Sequence, residues 1–258
     1  MRRRSRAPRH GANRWSRRRP IDPPVSGRVW FVIPAAGAAT RFGGPVPKQW
    51  LRLDGRSVLE YALRAVWHCP RLAGGVVVLA RGDRRFARLP AALRRRVLTV
   101  TGGRERAHSV LNGLRVLAAH AHPDDWVLVH DAARPCLPVR DLRALLAACA
   151  GDRTGGLLAV PVADTLKRAG RDGRSRATLP RAGIWRALTP QLFRYRLLRR
   201  ALEAAVARGH APGDEAEAVE ALGRRPRLVA GSALNIKITR PADLAAARAA
   251  LAALRRQR

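Results

Sequence analysis

The sequence predicts a doubly wound, mainly parallel α/β sheet, and three observations carry that expectation. Short apolar runs alternate with helix-patterned segments along the whole chain. The runs VWFVIP, VVVLA and WVLVH are uninterrupted rather than alternating, which marks strands buried on both faces. The strongly patterned strands of the first half end in loops of small or charged residues, PAAGAATR, TGGRER and HDAARP, which would converge on one rim of the sheet.

The first core strand begins at Val29. The long Ala/Gly/Pro loop AAGAATRFGGPVPKQW follows it, and then SVLEYALRAVWH, in which Val58, Tyr61, Ala62 and Ala65 recur at helical spacing behind a Ser57 N-cap. Strands are expected at 74–80 and 96–100. A helix then runs through RERAHSVLNGLRVLAAH, with Val110, Leu114, Leu117 and Ala118 on one face. Further strands are expected at 126–130 and 155–162, with a helix over 139–150 between them. Residues 164–183 break the alternation with Gly-Arg-Asp-Gly turn chemistry between short polar runs, which predicts a projecting β-hairpin. Helix is expected to resume over 190–208 and near 214–222. Strands follow near 226–238, and a final helix spans 241–256 with Leu244, Leu251 and Leu254 on its buried side.

At 258 residues with 47% hydrophobic side chains, the chain can bury one sizeable core. The formal net charge of +33 points to anionic partners, whether nucleic acid, an anionic surface or a phosphorylated small molecule. Residues 1–27 hold nine arginines and one acid, Asp22, so +8 lies there and +25 is dispersed over the rest. Dispersed arginine with only three lysines also matches the composition of a GC-rich coding sequence. Residues 1–27 have no hydrophobic periodicity and read as a disordered Arg/Pro-rich extension, compatible with a nucleic-acid arm, a targeting peptide or a misplaced start. Cys69, Cys136 and Cys149 form neither a metal spacing nor a paired framework, and no apolar stretch approaches a membrane span. A soluble cytoplasmic protein is therefore expected.

Chemistry concentrates in the loops. Consecutive small residues in PAAGAATRFGGPVPK would let backbone N–H groups approach a phosphate chain, with Arg41 and Lys48 as counter-charges. The loop fits neither the P-loop nor the dinucleotide fingerprint, and a plain turn after a strand is the alternative. In HDAARP, Asp131 directly follows a buried strand, where a carboxylate could bind a hard divalent cation, and Arg134 could hold an anion by forked hydrogen bonds. The alternative there is an N-cap aspartate beside a surface arginine.

The ordered set PAAG, RFG, PKQ, GGRERAHSV, VLVHDAARPCL, DTLKRA, WRALTPQLF, GDEAEAVE and NIKITRPADL, spread over about residues 29–250, resembles the 2-C-methyl-D-erythritol 4-phosphate cytidylyltransferases of non-mevalonate isoprenoid biosynthesis. The resemblance implies a Rossmann-like nucleotidyltransferase domain over 28–258. It also implies a homodimer built through the hairpin arm, with CTP and methylerythritol phosphate as substrates and Mg²⁺ or another divalent cation as cofactor. Ala35, Ala36, Gly37, Gly103 and Ser109 would line the cytidine site. Arg41 and Lys48 would contact the triphosphate and, with Lys237, stabilise the reacting charge, while Asp131 would hold the cation. Arg134, Thr165, Arg181, Thr189 and Lys237 match positions that bind the sugar phosphate or the reacting phosphates, and Arg181 with its neighbours would reach into a partner's site. No fused second enzyme is expected.

Four positions depart from the family pattern. Ala39 stands where a second glycine is common, Arg104 where an acid is frequent, Gly213 where a threonine lies near the sugar phosphate, and Leu234 where many members place an aspartate before Asn-Ile-Lys. Two other functions compete. A cytidylyltransferase for ribitol 5-phosphate would share the fold and nucleotide site. An Arg-rich nucleic-acid-binding protein would interleave stacking aromatics with its basic residues, whereas aromatics are 5% here and the tryptophans are scattered, so only weak binding by the basic tail is expected. His130 is tempting as a base, but an acceptor phosphate is already anionic, and a structural histidine is the expectation.

Overall fold

The computed structural model describes residues 27–37, 42 and 46–256. In chain order these form β1 (Val29–Ala35), a 3-10 turn at Lys48–Trp50, the two-residue strands β2 (Arg52–Leu53) and β3 (Arg56–Ser57), α1 (Val58–Val66) and β4 (Leu72–Leu79). A second 3-10 turn at Arg85–Arg88 precedes α2 (Ala91–Arg94), β5 (Val97–Thr101), α3 (Arg106–Leu117), β6 (Trp126–Val129), α4 (Val139–Cys149) and β7 (Gly155–Pro161). The chain continues through β8 (Leu166–Ala169), β9 (Ser175–Leu179), β10 (Trp185–Arg194), α5 (Tyr195–Ala207), α6 (Glu215–Glu220), β11 (Arg227–Ala230) and α7 (Asp243–Arg256).

Seven strands make one sheet in the order β11-β7-β10-β6-β1-β4-β5. β1 is parallel to β4 and β6, β4 to β5, and β11 to β7, while β10 runs antiparallel to both of its neighbours. Successive residues of the central strands feed opposite layers. Phe31, Ile33, Val77 and Leu128 pack with Leu59 and Leu63 of α1 and Leu142, Leu145 and Leu146 of α4. Val32, Val76, Val78, Val127 and Val129 pack with Val110 and Leu114 of α3 and Leu198 and Leu202 of α5. That two-sided burial is why the strands read as unbroken apolar runs. A third cluster seats α7 through Ala247, Ala250 and Leu251 against Leu53, Val58, Tyr61 and Ile238. Ser57 caps α1 as expected, its hydroxyl accepting the Glu60 N–H at 3.1 Å.

The sheet leaves no room at Gly75, where an added Cβ would stand 2.4 Å from both Cγ and the carbonyl oxygen of Phe31. Gly75→Ala should therefore cost about 2 kcal/mol by overpacking, read as a lower denaturant midpoint at unchanged slope. A midpoint equal to that of the unmodified chain would show that β1 and β4 can separate to admit a methyl group.

Two expectations need correction. Residues 190–194 are strand rather than helix: β10 runs to Arg194 and α5 starts only at Tyr195. The region 226–238 holds strand only over Arg227–Ala230. Ser232 to Thr239 follows an irregular path, tied down by the Ser232 N–H to Asp141 at 2.6 Å and the Ile238 N–H to the Ala133 carbonyl at 2.9 Å. The expected hairpin is present as β8 and β9, paired antiparallel, with Lys167 donating to the Thr178 hydroxyl at 2.6 Å.

Candidate active site

Parallel strands deliver their carboxyl ends to one rim, and there the end of β1, the start of α3 and the end of β6 enclose a cleft of about 440 Å³. Ala35, Ala36, Gly37, Lys48, Gly103, Ser109, Asp131 and Lys237 all line it. The small residues are held in place from behind. Gln49, buried, donates from Nε2 to the carbonyls of Ala35 at 2.7 Å and Gly37 at 3.3 Å. The Ser109 hydroxyl accepts the Gly103 N–H at 3.1 Å and donates to the Glu105 carbonyl at 3.1 Å. A Cβ at Gly103 would sit 2.4 Å from that of His108, so only glycine permits this close turn.

Asp131, 6% exposed, is the electrostatic centre of the cleft. Its Oδ1 accepts from Arg106 Nε at 3.0 Å, and its Oδ2 accepts from Lys237 Nζ at 2.7 Å with Arg134 Nε 3.7 Å away. Burial alone would raise its pKa, but Arg106, Lys237 and Arg134 outweigh burial and hold the carboxyl well below the usual range. Arg106 in turn forks onto Glu215, with Nη1 2.7 Å from Oε1 and Nη2 3.0 Å from Oε2. Burial pushes the Glu215 carboxyl up, against the pull of Arg106.

A second cleft, of about 420 Å³, adjoins the first and is lined by Arg134, Arg186, Lys237, Arg240 and Thr239, among others. Lys237 and Thr239 line both clefts. Arg134, 8% exposed, donates from Nη1 to the Asn235 carbonyl at 2.7 Å, yet its Nε has no hydrogen-bond partner, and neither has Asn235 Oδ1. That Nε faces Asp131 Oδ2 at 3.7 Å, so the guanidinium links the carboxylate of the first cleft to the wall of the second.

The model of the IspD family, 2-C-methyl-D-erythritol 4-phosphate cytidylyltransferase, matches residues 29–253. The chain belongs to this family. Relatives bearing that name include one from Ectopseudomonas mendocina (strain ymp), 51% identical over 91% of this chain and 100% of its own length, and one from Xanthomonas axonopodis pv. citri (strain 306), 51% identical over 86% of this chain and 83% of its own. A crystal structure of 4-diphosphocytidyl-2C-methyl-D-erythritol synthase superposes with a TM-score of 0.76 at 39% identity, covering 88% of this chain and all of that one. The cytidylyltransferase from Thermus thermophilus superposes at 0.71 with 34% identity, covering 86% and 98%.

Against this cytidylyltransferase background, the expected site residues separate into groups. Ala35, Ala36, Gly37, Lys48, Gly103, Ser109, Asp131 and Lys237 meet in the first cleft, and Arg134 stands in the second. Thr189 lies behind Asp131, buried, its Oγ1 accepting the Asp131 N–H at 3.0 Å. Thr165 and Arg181 are exposed on either side of the hairpin, with Arg181 Nη1 donating to the Ala163 carbonyl, and neither lines the two clefts. Arg41 and the Ala39 departure lie outside the described residues. Arg104 lines the first cleft, and Gly213 precedes the Asp214 cap of α6, its N–H donating to Glu217 at 2.7 Å. Leu234 packs against the α7 cluster and brings no carboxylate to the cleft. Sequence reasoning assigned no role to Arg106, Glu215 or Gln49. All three stand in segments quoted for the resemblance, but the pairing of Arg106 with Glu215 joins two such segments and becomes visible only in three dimensions.

His130 is wholly buried, and its hydrogen bonds fix its tautomer. The Arg134 carbonyl, an acceptor only, lies 3.0 Å from Nε2, so Nε2 carries the proton. Thr189 Oγ1, already accepting from Asp131, then donates to Nδ1 at 3.0 Å. Burial lowers the imidazole pKa from 6.5 to about 4 despite the neighbouring Asp131. The unfolded chain binds this proton first, so stability falls as pH drops from 6.5 towards 4, and the contribution is constant above that window. The loss should reach about 3 kcal/mol, and His130→Gln should flatten it in denaturant titrations between neutral and acid pH. An unchanged slope in His130→Gln would assign the acid sensitivity to other groups.

Proposed function

We propose that this chain transfers the cytidylyl group of CTP to the phosphate of 2-C-methyl-D-erythritol 4-phosphate, releasing pyrophosphate. The observation that carries this reading is the placement of Lys237 on the seam of two basic clefts, ion-paired to Asp131. CTP occupies the first cleft, its base beside Gly103 and Ser109 and its phosphates along Ala35–Gly37 with Lys48 and Arg41 as counter-charges. The acceptor phosphate occupies the second, where Arg134, Arg186 and Arg240 supply positive charge.

An oxygen of the acceptor phosphate forms a bond to the α-phosphorus of CTP. The bond from that phosphorus to the β-phosphate oxygen breaks, and pyrophosphate departs with the electron pair. Both reactants are anions, so approach is opposed until cationic side chains offset their charge. Lys237 and Arg134 hold the two phosphates at one seam, and the work of the site is positioning and charge stabilisation. No proton need be removed from an ionised phosphate, which leaves His130 its structural place.

Asp131 is the residue that would hold Mg²⁺ or another divalent cation. It is a hard oxygen donor lining the cleft, and no cluster of three or more His, Cys, Asp or Glu ligands exists among the described residues, so phosphates and water would complete the shell. When bound, the cation supplies neutralisation of the triphosphate and of the leaving pyrophosphate. The exposed β8–β9 hairpin is proposed as the dimer arm that carries Thr165 and Arg181 to a second copy. No helix among the described residues is long and apolar enough to cross a membrane, and the three cysteines are buried thiols without disulfides, which supports a cytoplasmic enzyme.

The test is pyrophosphate release from CTP and Mg²⁺ with either 2-C-methyl-D-erythritol 4-phosphate or ribitol 5-phosphate. A preference of about a hundredfold or more in kcat/KM for the former is expected, since an acceptor pocket built around particular hydroxyls discriminates strongly. Equal rates would make the chain a broader polyol-phosphate cytidylyltransferase, and release with neither would overturn the reading.

A further inference from the structure

We infer that Glu215 is a positioning residue that keeps Asp131 available to a divalent cation, by drawing the forked end of Arg106 onto itself. The inference rests on the proposed role of Asp131 as the cation-holding carboxylate.

Glu215 is the first residue of α6 and is 0% exposed. A carboxylate so enclosed persists only when a cation and hydrogen bonds satisfy it. Arg106 does this with both Nη groups, at 2.7 and 3.0 Å, and is left with Nε alone for Asp131 Oδ1. The outer oxygen, Oδ2, meets only Lys237, whose side chain is 41% exposed and can swing aside, and the more distant Arg134. Three cations therefore face two carboxylates in this cluster. Without the Glu215 charge, three cations would face Asp131 alone. The Arg106 fork would have one carboxylate left to bind and would close on both of its oxygens, since bidentate pairing is the preferred arginine–carboxylate geometry. An incoming cation would then have to displace a half-buried, doubly bonded guanidinium instead of one exposed lysine.

A purely structural role makes a different prediction. Glu215 also ties α6 to α3, and α6 packs on α5 within the same core layer, so its loss could simply loosen the cleft. Loosening would weaken nucleotide binding with and without a cation alike. Charge imbalance weakens only the cation-dependent part, because the extra positive charge left behind attracts the triphosphate.

The experiment is calorimetric titration of CTP in the presence of Mg²⁺ and of a chelator, giving for each variant the factor by which Mg²⁺ tightens CTP. Complexation of Mg²⁺ by CTP in solution is common to all variants and cancels between them. Glu215→Gln should reduce that factor by about tenfold or more while CTP affinity in chelator stays equal or rises. Glu215→Asp, which retains the charge, should keep the factor within about threefold of the unmodified chain. The double variant Arg106→Gln with Glu215→Gln, which removes both charges together, should restore the factor to about the same range. If Glu215→Gln does not fold, these last two variants carry the test. Equal weakening with and without Mg²⁺, or a double variant worse than the single, would overturn the inference. An Asp131→Asn variant with an unchanged factor would show that Asp131 does not hold the cation, and the inference would fall with that reading rather than through Glu215.

Discussion

Asp131→Asn is expected to lower turnover by about two to four orders of magnitude while leaving the fold in place. The substitution keeps the shape of the side chain and removes its charge. Arg106 can still donate to the amide oxygen, but the amide NH₂ must then face Lys237 and Arg134, donor against donor, where Oδ2 now accepts Lys237 at 2.7 Å. The cluster is left with an excess of buried positive charge, and a divalent cation loses the carboxylate at the centre of the cleft. Single-turnover rates across a Mg²⁺ titration, with circular dichroism as a check on folding, measure the effect. Near-normal turnover in Asp131→Asn would remove Asp131 from the mechanism.

The second large effect concerns lysines that a chain rich in arginine retains. Only Lys48, Lys167 and Lys237 are lysine among 51 basic residues, and two of the three line the first cleft. Lysine offers a compact point charge on a thin stem, able to follow an oxygen as charge shifts during displacement, whereas arginine brings a wide planar fork. At Lys237 that fork would enter a space beside Asp131 already shared with Arg106 Nε and the Arg134 guanidinium. Lys48→Arg and Lys237→Arg should each slow the chemical step at least about tenfold, roughly 1.4 kcal/mol, although charge is conserved. Lys167 is a built-in control: it is exposed on β8 and donates to Thr178 across the hairpin, so Lys167→Arg should leave the step unchanged. Unaltered rates in both cleft variants would mean that composition, not chemistry, left lysine there.

Where the chain advertised its structure, it did so through burial. The runs 29–34, 74–80 and 126–130 are apolar on both faces because both faces of the central strands are covered, and a plain reading of the pattern finds them. β10 escaped for an equally physical reason. Its pairing with β7 breaks between Ala187 and Gln191, around Pro190, which has no N–H to give a ladder, and its end abuts the strong helical pattern of Tyr195–Ala207. Ser232–Thr239 looked like a strand because Ile236 and Ile238 flank Lys237. Its Ser232 and Ile238 N–H groups and the Asn235 amide nitrogen are held by Asp141, Ala133 and Thr189 instead of by a neighbouring strand, and no local pattern encodes such partners. The site followed the same division. Asp131 and Arg134 were legible as charged residues at the end of a buried strand, whereas the Arg106–Glu215 pair joins residues 109 positions apart and emerges only when α3 and α6 meet.

The central claim is that the acceptor phosphate attacks CTP directly at the Asp131–Lys237 seam, with no covalent enzyme intermediate. It is tested most directly by the stereochemistry at phosphorus, using CTP made chiral by sulfur at the α-phosphate. One in-line displacement inverts that centre, and inversion is the result expected of a site whose residues only position and neutralise. Retention of configuration would require two successive displacements through a cytidylylated side chain, and would contradict the mechanism.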